Sequence, residues 1–201
     1  MPHRPNEIER AQPRTSVPSE RAAFTLIEML IVLVILGIVG RMAIPRIDFD
    51  RYRADAAGRL SRVVLQSAQR NAILRQSNVI VSFDATRNVL AVIEDANNNG
   101  VIDGGERVVV RAYADGARFS APPSALAGCG ANPVTGSALS LVSGMPAISF
   151  LRDGAASSDL CIYLTAGHGA KSSYRAIRLT QATGRTEYWR YVESRWIPGG
   201  V

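Results

Sequence analysis

The chain has 201 residues, which leaves room for one modest globular domain and an additional anchoring segment. Its net charge is +6, and its two cysteines are too few for a disulfide-rich scaffold. The sequence has neither a CxxC motif nor a Cys/His cluster, so nothing in it indicates zinc or redox chemistry.

The charge is unevenly distributed along the chain. Residues 41–75 include eight basic and three acidic residues, a net of +5, and residues 171–201 include six basic and two acidic residues, a net of +4. Between them, residues 76–170 include five basic and eight acidic residues, a net of −3. This asymmetry indicates either an anionic partner, such as membrane lipid or nucleic acid, or simply a solvated surface.

The N-terminal part of the chain changes from polar to apolar at residue 24. Residues 1–23 include four prolines and show no periodicity, which predicts a leader that is removed. Residues 24–40, FTLIEMLIVLVILGIVG, form an apolar run in which Thr25 and Glu28 are the only polar residues. As a helix this run spans about 26 Å, and its extension to residue 45 predicts a transmembrane segment.

Two ordinary explanations of the apolar run fit the sequence less well. A secretory signal peptide would place small residues after the run, whereas here Ala22 and Ala23 precede it. A plain membrane anchor fits the length but leaves Glu28 unexplained, because an ionisable group in a membrane helix is costly and usually functional.

The run FTLIEMLIVLVILGIVG, followed by MAIP, resembles the N-terminus of type IV pilins and type II secretion pseudopilins. The resemblance implies that a prepilin peptidase cleaves between Ala23 and Phe24 and that the new amine of Phe24 is methylated. It also implies that Glu28 pairs with the N-terminal amine of a neighbouring subunit. Amine and carboxylate are each unfavourable in hydrocarbon and become tolerable when paired, so Glu28 is the predicted assembly residue.

The chain departs from the family pattern at two positions. The family usually has glycine before the cleavage point, where this chain has Ala23. Arg41 lies where pilins generally stay apolar, which favours a minor subunit at a filament end over a repeating subunit.

The residues after the anchor predict an α+β fold. Residues 46–76 have small and apolar residues at helical spacing, which predicts an amphipathic continuation of the first helix, kinked at Pro45. Residues 77–201 then read as a β-rich extracytoplasmic domain, so the predicted fold is a long N-terminal helix packed on a small antiparallel β-sheet. The predicted strands are NVIVSF, VLAVIE and RVVVRAYA, then two hairpins formed by AISFLRDG with DLCIYLTAG and by the two halves of YRAIRLTQATGRTEYWRYV. Residues 120–145 read mainly as loop.

The C-terminal part resembles the GspH/FimT group of pseudopilins in the segments ISFLRDG, LCIYLT and YRAIRLTQATGRTEYW. This implies a minor pilin or pseudopilin that primes or caps a type IV pilus or a type II secretion pseudopilus. The implied location is the bacterial inner membrane, with one transmembrane pass and a periplasmic C-terminal domain, followed by incorporation into a filament. The implied partners are other pilin or pseudopilin subunits, the prepilin peptidase and inner-membrane lipid. No catalytic motif is present, so we expect no enzyme.

Residues 95–106, DANNNGVIDGGE, fit the twelve-residue pattern of a calcium-binding loop. In that pattern Gly100 makes the sharp turn, and the other positions supply oxygen ligands. The candidate ligands are Asp95, Asn97, Asn99, the carbonyl of Val101, Asp103 and Glu106. The alternative is an Asn/Gly-rich turn that needs no ion.

Two further features leave alternatives open. Arginines interleaved with aromatic residues near the C-terminus predict, as an alternative function, a DNA-binding minor pilin for natural transformation. These arginines are Arg175, Arg178, Arg185, Arg190 and Arg195. The other reading is a strand surface of alternating charge, because acidic residues interrupt the series. Cys129 and Cys161 either form one disulfide, if the domain is exported, or remain separate thiols.

Overall fold

The computed structural model describes residues 24–43, 49–113 and 116–199. The chain divides into two compact units, Met1–Ile47 and Asp48–Val201. The predicted leader, residues 1–23, and the predicted kink at Pro45 lie outside the described residues.

The described part of the first unit is a single helix, α1, over Leu26–Ala43. Its start is capped by Thr25, whose side-chain oxygen accepts a hydrogen bond from the backbone N–H of Glu28 at 3.3 Å. Thr25 and Glu28 therefore have the three-residue spacing of a capping box, with the acid in the first helical turn. The described residues include no helix that is both long and apolar enough to cross a membrane.

The second unit begins with α2, a helix of 27 residues over Phe49–Arg75. Its buried face consists mainly of small side chains, which lets the helix lie close to the strands beneath it. The buried residues are Ala54, Ala57, Gly58, Ser61, Val64, Leu65, Ala68 and Ala72. Val63 and Ile73 are also apolar residues of this helix, but they lie outside the buried face and are 60% and 43% exposed.

Two antiparallel sheets follow α2. The first has the order β3-β2-β1-β7-β6 and is built from β1 (Asn78–Asp84), β2 (Val89–Asp95), β3 (Val108–Ala112), β6 (Ser140–Val142) and β7 (Met145–Phe150). The turn between β1 and β2 is closed by Asp84, whose carboxylate accepts hydrogen bonds from the backbone N–H groups of Thr86 and Arg87.

The second sheet has the order β11-β10-β9-β8-β4, with β5 also pairing with β8. Its strands are β4 (Ala117–Phe119), β5 (Val134–Gly136), β8 (Leu160–Ala166), β9 (Arg175–Thr180), β10 (Arg185–Val192) and β11 (Arg195–Pro198). A 3₁₀ turn, Lys171–Ser173, precedes β9. The main core lies between α2 and both sheets, and it includes Leu65, Phe83, Ile148 and Leu164.

The predicted α+β fold is confirmed, with two sheets where one was expected. The predicted hairpin of β9 and β10 is also present, with Arg185 opposite Thr180. The predicted pairing of AISFLRDG with DLCIYLTAG is wrong, because β7 pairs with β1 and β6 whereas β8 lies in the second sheet. The predicted loop 120–145 contains β5, β6 and the first residue of β7.

Candidate functional site

The predicted assembly residue, Glu28, lies on an apolar helix whose surface is open. Every side chain of residues 24–39 is exposed, including Phe24, which is 71% exposed. Within the described part of the chain, the Glu28 carboxylate has no hydrogen-bond or ion-pair partner. Ala23, on the other side of the predicted cleavage point, lies outside the described residues. An apolar surface of this size is normally covered by lipid or by another protein.

A buried polar network of the second unit joins α2 to the C-terminal hairpin. The Nε of Arg175 on β9 donates to Oδ1 of Asp55 on α2 at 2.6 Å, and the Tyr188 hydroxyl on β10 donates to the same oxygen at 2.6 Å. The Nη1 of Arg175 donates to the backbone carbonyls of Ser172 and Tyr174, at 2.7 and 2.8 Å. Arg175 is only 1% exposed, so these acceptors compensate for the burial of its charge.

The same network alters the pKa values of its members. Burial acts to raise the pKa of the Asp55 carboxyl, but the hydrogen bonds from Arg175 and Tyr188 outweigh it and hold the pKa below its ordinary value. Burial, followed by the hydrogen bond to Asp55, raises the pKa of the Tyr188 hydroxyl. Desolvation opposes the charge of Arg175, yet its bond to Asp55 raises the pKa of the guanidinium. The arrangement is therefore a fixed ion pair with a neutral tyrosine beside it.

The structure corrects the prediction for Arg175. A nucleic-acid contact needs an accessible guanidinium, and that of Arg175 is buried against Asp55. Sequence reasoning missed Asp55 itself. The sequence feature that could have indicated its role is a single acidic residue among small residues, in the segment ADAAG. Most of the small residues of this segment are buried in the structure.

The other four C-terminal arginines do not share one surface. Arg178 is paired with Glu187 and lies over the ring of Trp189, with its guanidinium carbon 5.5 Å from the ring centroid. Arg195 is exposed and lies 3.8 Å from Glu193. Successive side chains of a strand point to opposite faces of the sheet, so Arg185 and Arg190 on β10 are also divided between the two faces.

The predicted calcium loop is held by hydrogen bonds within itself. The carboxylate of Asp95 accepts from the backbone N–H groups of Asn99 and Gly100, at 3.0 and 2.9 Å. The side-chain amides of Asn97 and Asn99 both donate to Oδ2 of Asp103 at 2.7 Å. Glu106 accepts from the backbone N–H of Asp103 at 3.0 Å. Within the described ranges, no three His, Cys, Asp or Glu side chains are grouped as a metal site.

Cys129 and Cys161 form a disulfide that attaches a long loop to the second sheet. The same loop is held by the Tyr163 hydroxyl, which accepts from the backbone N–H of Leu126 at 2.9 Å. It is also held by the indole N–H of Trp196, which donates to the carbonyl of Ser124 at 2.9 Å. These contacts order the face of the second sheet that is turned away from α2.

Comparison with known proteins gives two family matches. Residues 19–40 match the prokaryotic N-terminal methylation motif, and residues 57–184 match the family described as type II transport protein GspH. No curated protein sequence gives a significant match. Among solved structures, the minor pseudopilin EpsH from the Type 2 Secretion System of Vibrio cholerae is similar with a TM-score of 0.45 and 12% identity, covering 67% of this chain and 94% of EpsH.

Proposed function

This chain belongs to the type II transport protein GspH family, and from that premise we propose that it is a minor pseudopilin that assembles through α1 into a secretion pseudopilus. We place it at the end of the filament, where it primes or caps assembly. The observation that carries the assembly proposal is the exposed surface of residues 24–39, which is apolar except for two residues. Such a surface is stabilised only when lipid or neighbouring helices cover it.

The proposed route to the filament begins in the inner membrane. Residues 24–45 anchor the chain there, with residues 77–201 in the periplasm. Prepilin peptidase then removes residues 1–23, and the amine of Phe24 is methylated. The match of residues 19–40 to the methylation motif supports this processing, because it spans the proposed cleavage point.

Glu28 provides the selectivity for the assembled state. Its carboxylate lies in the first turn of α1. In the proposed filament the methylated amine of a neighbouring Phe24 pairs with this carboxylate. A lone subunit in lipid carries both charges unpaired, whereas an assembled pair of subunits compensates them, so the pair favours assembly.

The proposal is tested by co-purifying the detergent-solubilised full chain with the other pseudopilin subunits of its secretion system. We expect Glu28→Gln to abolish co-purification, and the control Glu193→Gln, which neutralises a highly exposed acid on the β10–β11 turn, to leave it unchanged. Unchanged co-purification of Glu28→Gln would contradict the role of this residue. Mass spectrometry of the mature chain tests the processing. We expect a chain that begins with methylated Phe24, and a chain that still contains residues 1–23 would contradict the proposal.

A further inference from the structure

A cleft of about 670 Å³ lies between α2 and β10. Its α2 wall is formed by side chains that recur every three to four residues, so they share one face of the helix. Its β10 wall is formed by two residues that are two apart, so they share one face of the sheet. The lining residues are Asp55, Arg59, Arg62, Val63, Gln66, Tyr188 and Arg190.

The cleft has an excess of positive charge. Arg59, Arg62 and Arg190 contribute three guanidinium groups, and Asp55 contributes the only carboxylate of the lining. Oδ1 of that carboxylate already accepts hydrogen bonds from Arg175 and from the Tyr188 hydroxyl. Within the described residues, no ion pair joins Arg59, Arg62 or Arg190 to a carboxylate, although Arg190 is close enough to Asp55 to help lower the pKa of its carboxyl.

Two of these arginines have buried donors without acceptors. The Nε atoms of Arg62 and Arg190 are buried and have no hydrogen-bond partner among the described residues. Buried polar groups in proteins are almost always hydrogen-bonded, so both guanidinium groups keep unused donors for an acceptor that enters the cleft, which reaches Nε when the arginine side chain reorients. The Nε and Nη groups of a guanidinium form a fork that matches the two oxygens of a carboxylate.

The walls of the cleft are fixed in place. Tyr188 is held by its hydrogen bond to Asp55, and its ring lies directly against Gly58 of α2. A Cβ atom at Gly58 would lie only 2.5 Å from the ring carbon Cε2 of Tyr188. Arg190 is positioned by its backbone pairing opposite Arg175. A fixed binding surface loses less entropy when a ligand binds.

We propose that this cleft binds a carboxylate-bearing segment of a partner protein, with Arg62 and Arg190 as the principal contacts and Arg59 at the rim. The volume lies within the range of about 300–1,000 Å³ typical of small-molecule pockets, so the cleft has room for one or more side chains of a partner segment. Val63 and the ring of Tyr188 give it an apolar wall, on which the aliphatic part of a glutamate can pack.

The surroundings favour a protein segment over nucleic acid. Binding to a nucleic-acid backbone needs a track of cations that follows successive phosphates. On the side of the C-terminal hairpin, Arg175 and Arg178 are paired with Asp55 and Glu187, so the basic surface does not continue across β9 as such a track. The inference goes beyond the proposed assembly, because the cleft lies wholly within the second unit and does not involve α1.

The test uses the full chain in detergent and a fluorescein-labelled hexaglutamate peptide, with binding measured by fluorescence anisotropy. A labelled hexaglutamine peptide and a labelled 20-nucleotide single strand serve as comparison probes. The variants are Arg62→Gln, Arg190→Gln and their combination. The matched control is Arg185→Gln, which removes the same charge from the same strand at an exposed position outside the cleft.

We expect hexaglutamate to bind, hexaglutamine not to bind, and the double variant to weaken hexaglutamate binding about tenfold or more. Arg185→Gln should change the hexaglutamate affinity less than about twofold, because an exposed charge outside the cleft acts only through long-range electrostatics, which salt screens. Arg62→Lys keeps the charge without the fork and should give an intermediate loss with an unchanged fold.

The proposal would be overturned by equal weakening in the Arg185→Gln control, by absence of hexaglutamate binding, or by tighter binding of the single strand through Arg62 and Arg190. None of these results would bear on Glu28, because every substitution lies in the second unit. Failure of this inference is therefore distinguishable from failure of the proposed assembly.

Discussion

The Nε of Arg175 donates to Oδ1 of Asp55 at 2.6 Å, across 120 residues of sequence. This ion pair attaches the strand β9 to the helix that begins the domain. Asp55 also accepts the hydroxyl of Tyr188 on β10, so a single carboxylate fixes both strands of the C-terminal hairpin against α2.

The first prediction concerns the removal of this carboxylate's charge. Asp55→Asn leaves the guanidinium of Arg175 buried without a counter-charge, and we expect the free energy of unfolding to fall by about 3 kcal/mol. Urea denaturation of the detergent-solubilised chain, followed by tryptophan fluorescence, measures this change. Glu193→Gln is the control and should change the free energy by less than about 0.5 kcal/mol. If the free energy of unfolding of Asp55→Asn changed as little as that of the control, the ion pair would not stabilise the fold.

The second prediction concerns acid. The folded-state pKa of Asp55 is lowered, so its contribution to stability is complete above the unfolded aspartate pKa of about 3.9 and is lost as the pH falls through the folded value. We therefore expect the free energy of unfolding to decrease below about pH 4, and to decrease less in Asp55→Asn. Asp84, whose pKa is also lowered, chiefly by hydrogen bonds from Arg87, contributes to the acid sensitivity in the same direction. Parallel pH curves for wild type and Asp55→Asn would contradict the assignment.

The third prediction concerns the close approach of α2 to Tyr188. Gly58→Ala places a methyl group into the tyrosine ring, so we expect destabilisation of about 1 to 3 kcal/mol despite the higher helix propensity of alanine. Gly104→Ala is the control for an added methyl group without a contact, because it lies in a loop and no heavy atom is within 4 Å of the added Cβ. The control should be neutral or slightly stabilising in thermal denaturation. A neutral Gly58→Ala variant would mean that the helix can move away from the ring at no cost.

The fourth prediction concerns calcium. We propose that residues 95–106 bind Ca²⁺ weakly, with a Kd on the order of 10⁻⁴ to 10⁻³ M, once the amides of Asn97 and Asn99 turn their oxygens toward the ion. Isothermal titration calorimetry measures this binding, and Glu106→Gln should abolish it because the bidentate ligand is lost. Glu193→Gln again serves as the control. Absence of calcium heat, together with a melting temperature that a chelator does not change, would leave an ordinary Asn/Gly-rich turn.

The sequence predicted those elements of the fold that depend on residues close together in the chain. The hairpin of β9 and β10 was found because the two strands are adjacent in sequence and the turn QATG links them. The partner of β7 was not found, because a buried strand presents two equivalent edges and its sequence does not state which strand will occupy them. The strand β11 was not predicted for a different reason, because its tight turn from β10 is formed by Glu193 and Ser194, with positive φ angles of 48° and 64° but without the Asn or Gly that normally indicates such a turn.

The contacts of individual side chains were likewise not predictable from local sequence patterns. A series of arginines is visible in the sequence, and the odd spacing of Arg185 and Arg190 places them on opposite faces of β10, but the sequence does not show which face packs against α2. The function of Arg175 could not be predicted either, because its partner Asp55 comes from a helix at the opposite end of the domain.

The position of α2 in the chain determines when the domain can be completed during synthesis. The helix is made first and can pack early against β1, but β8, β9 and β10, which cover the rest of its buried face, are made much later. Folding therefore waits for contacts of high sequence separation, which form slowly. A chain that ends before residue 174 would lose β9 and β10, two strands that contribute to the core of the domain. It would retain α2 without these two strands packed against it, and a nascent domain of this design stays vulnerable to proteolysis until those strands are made.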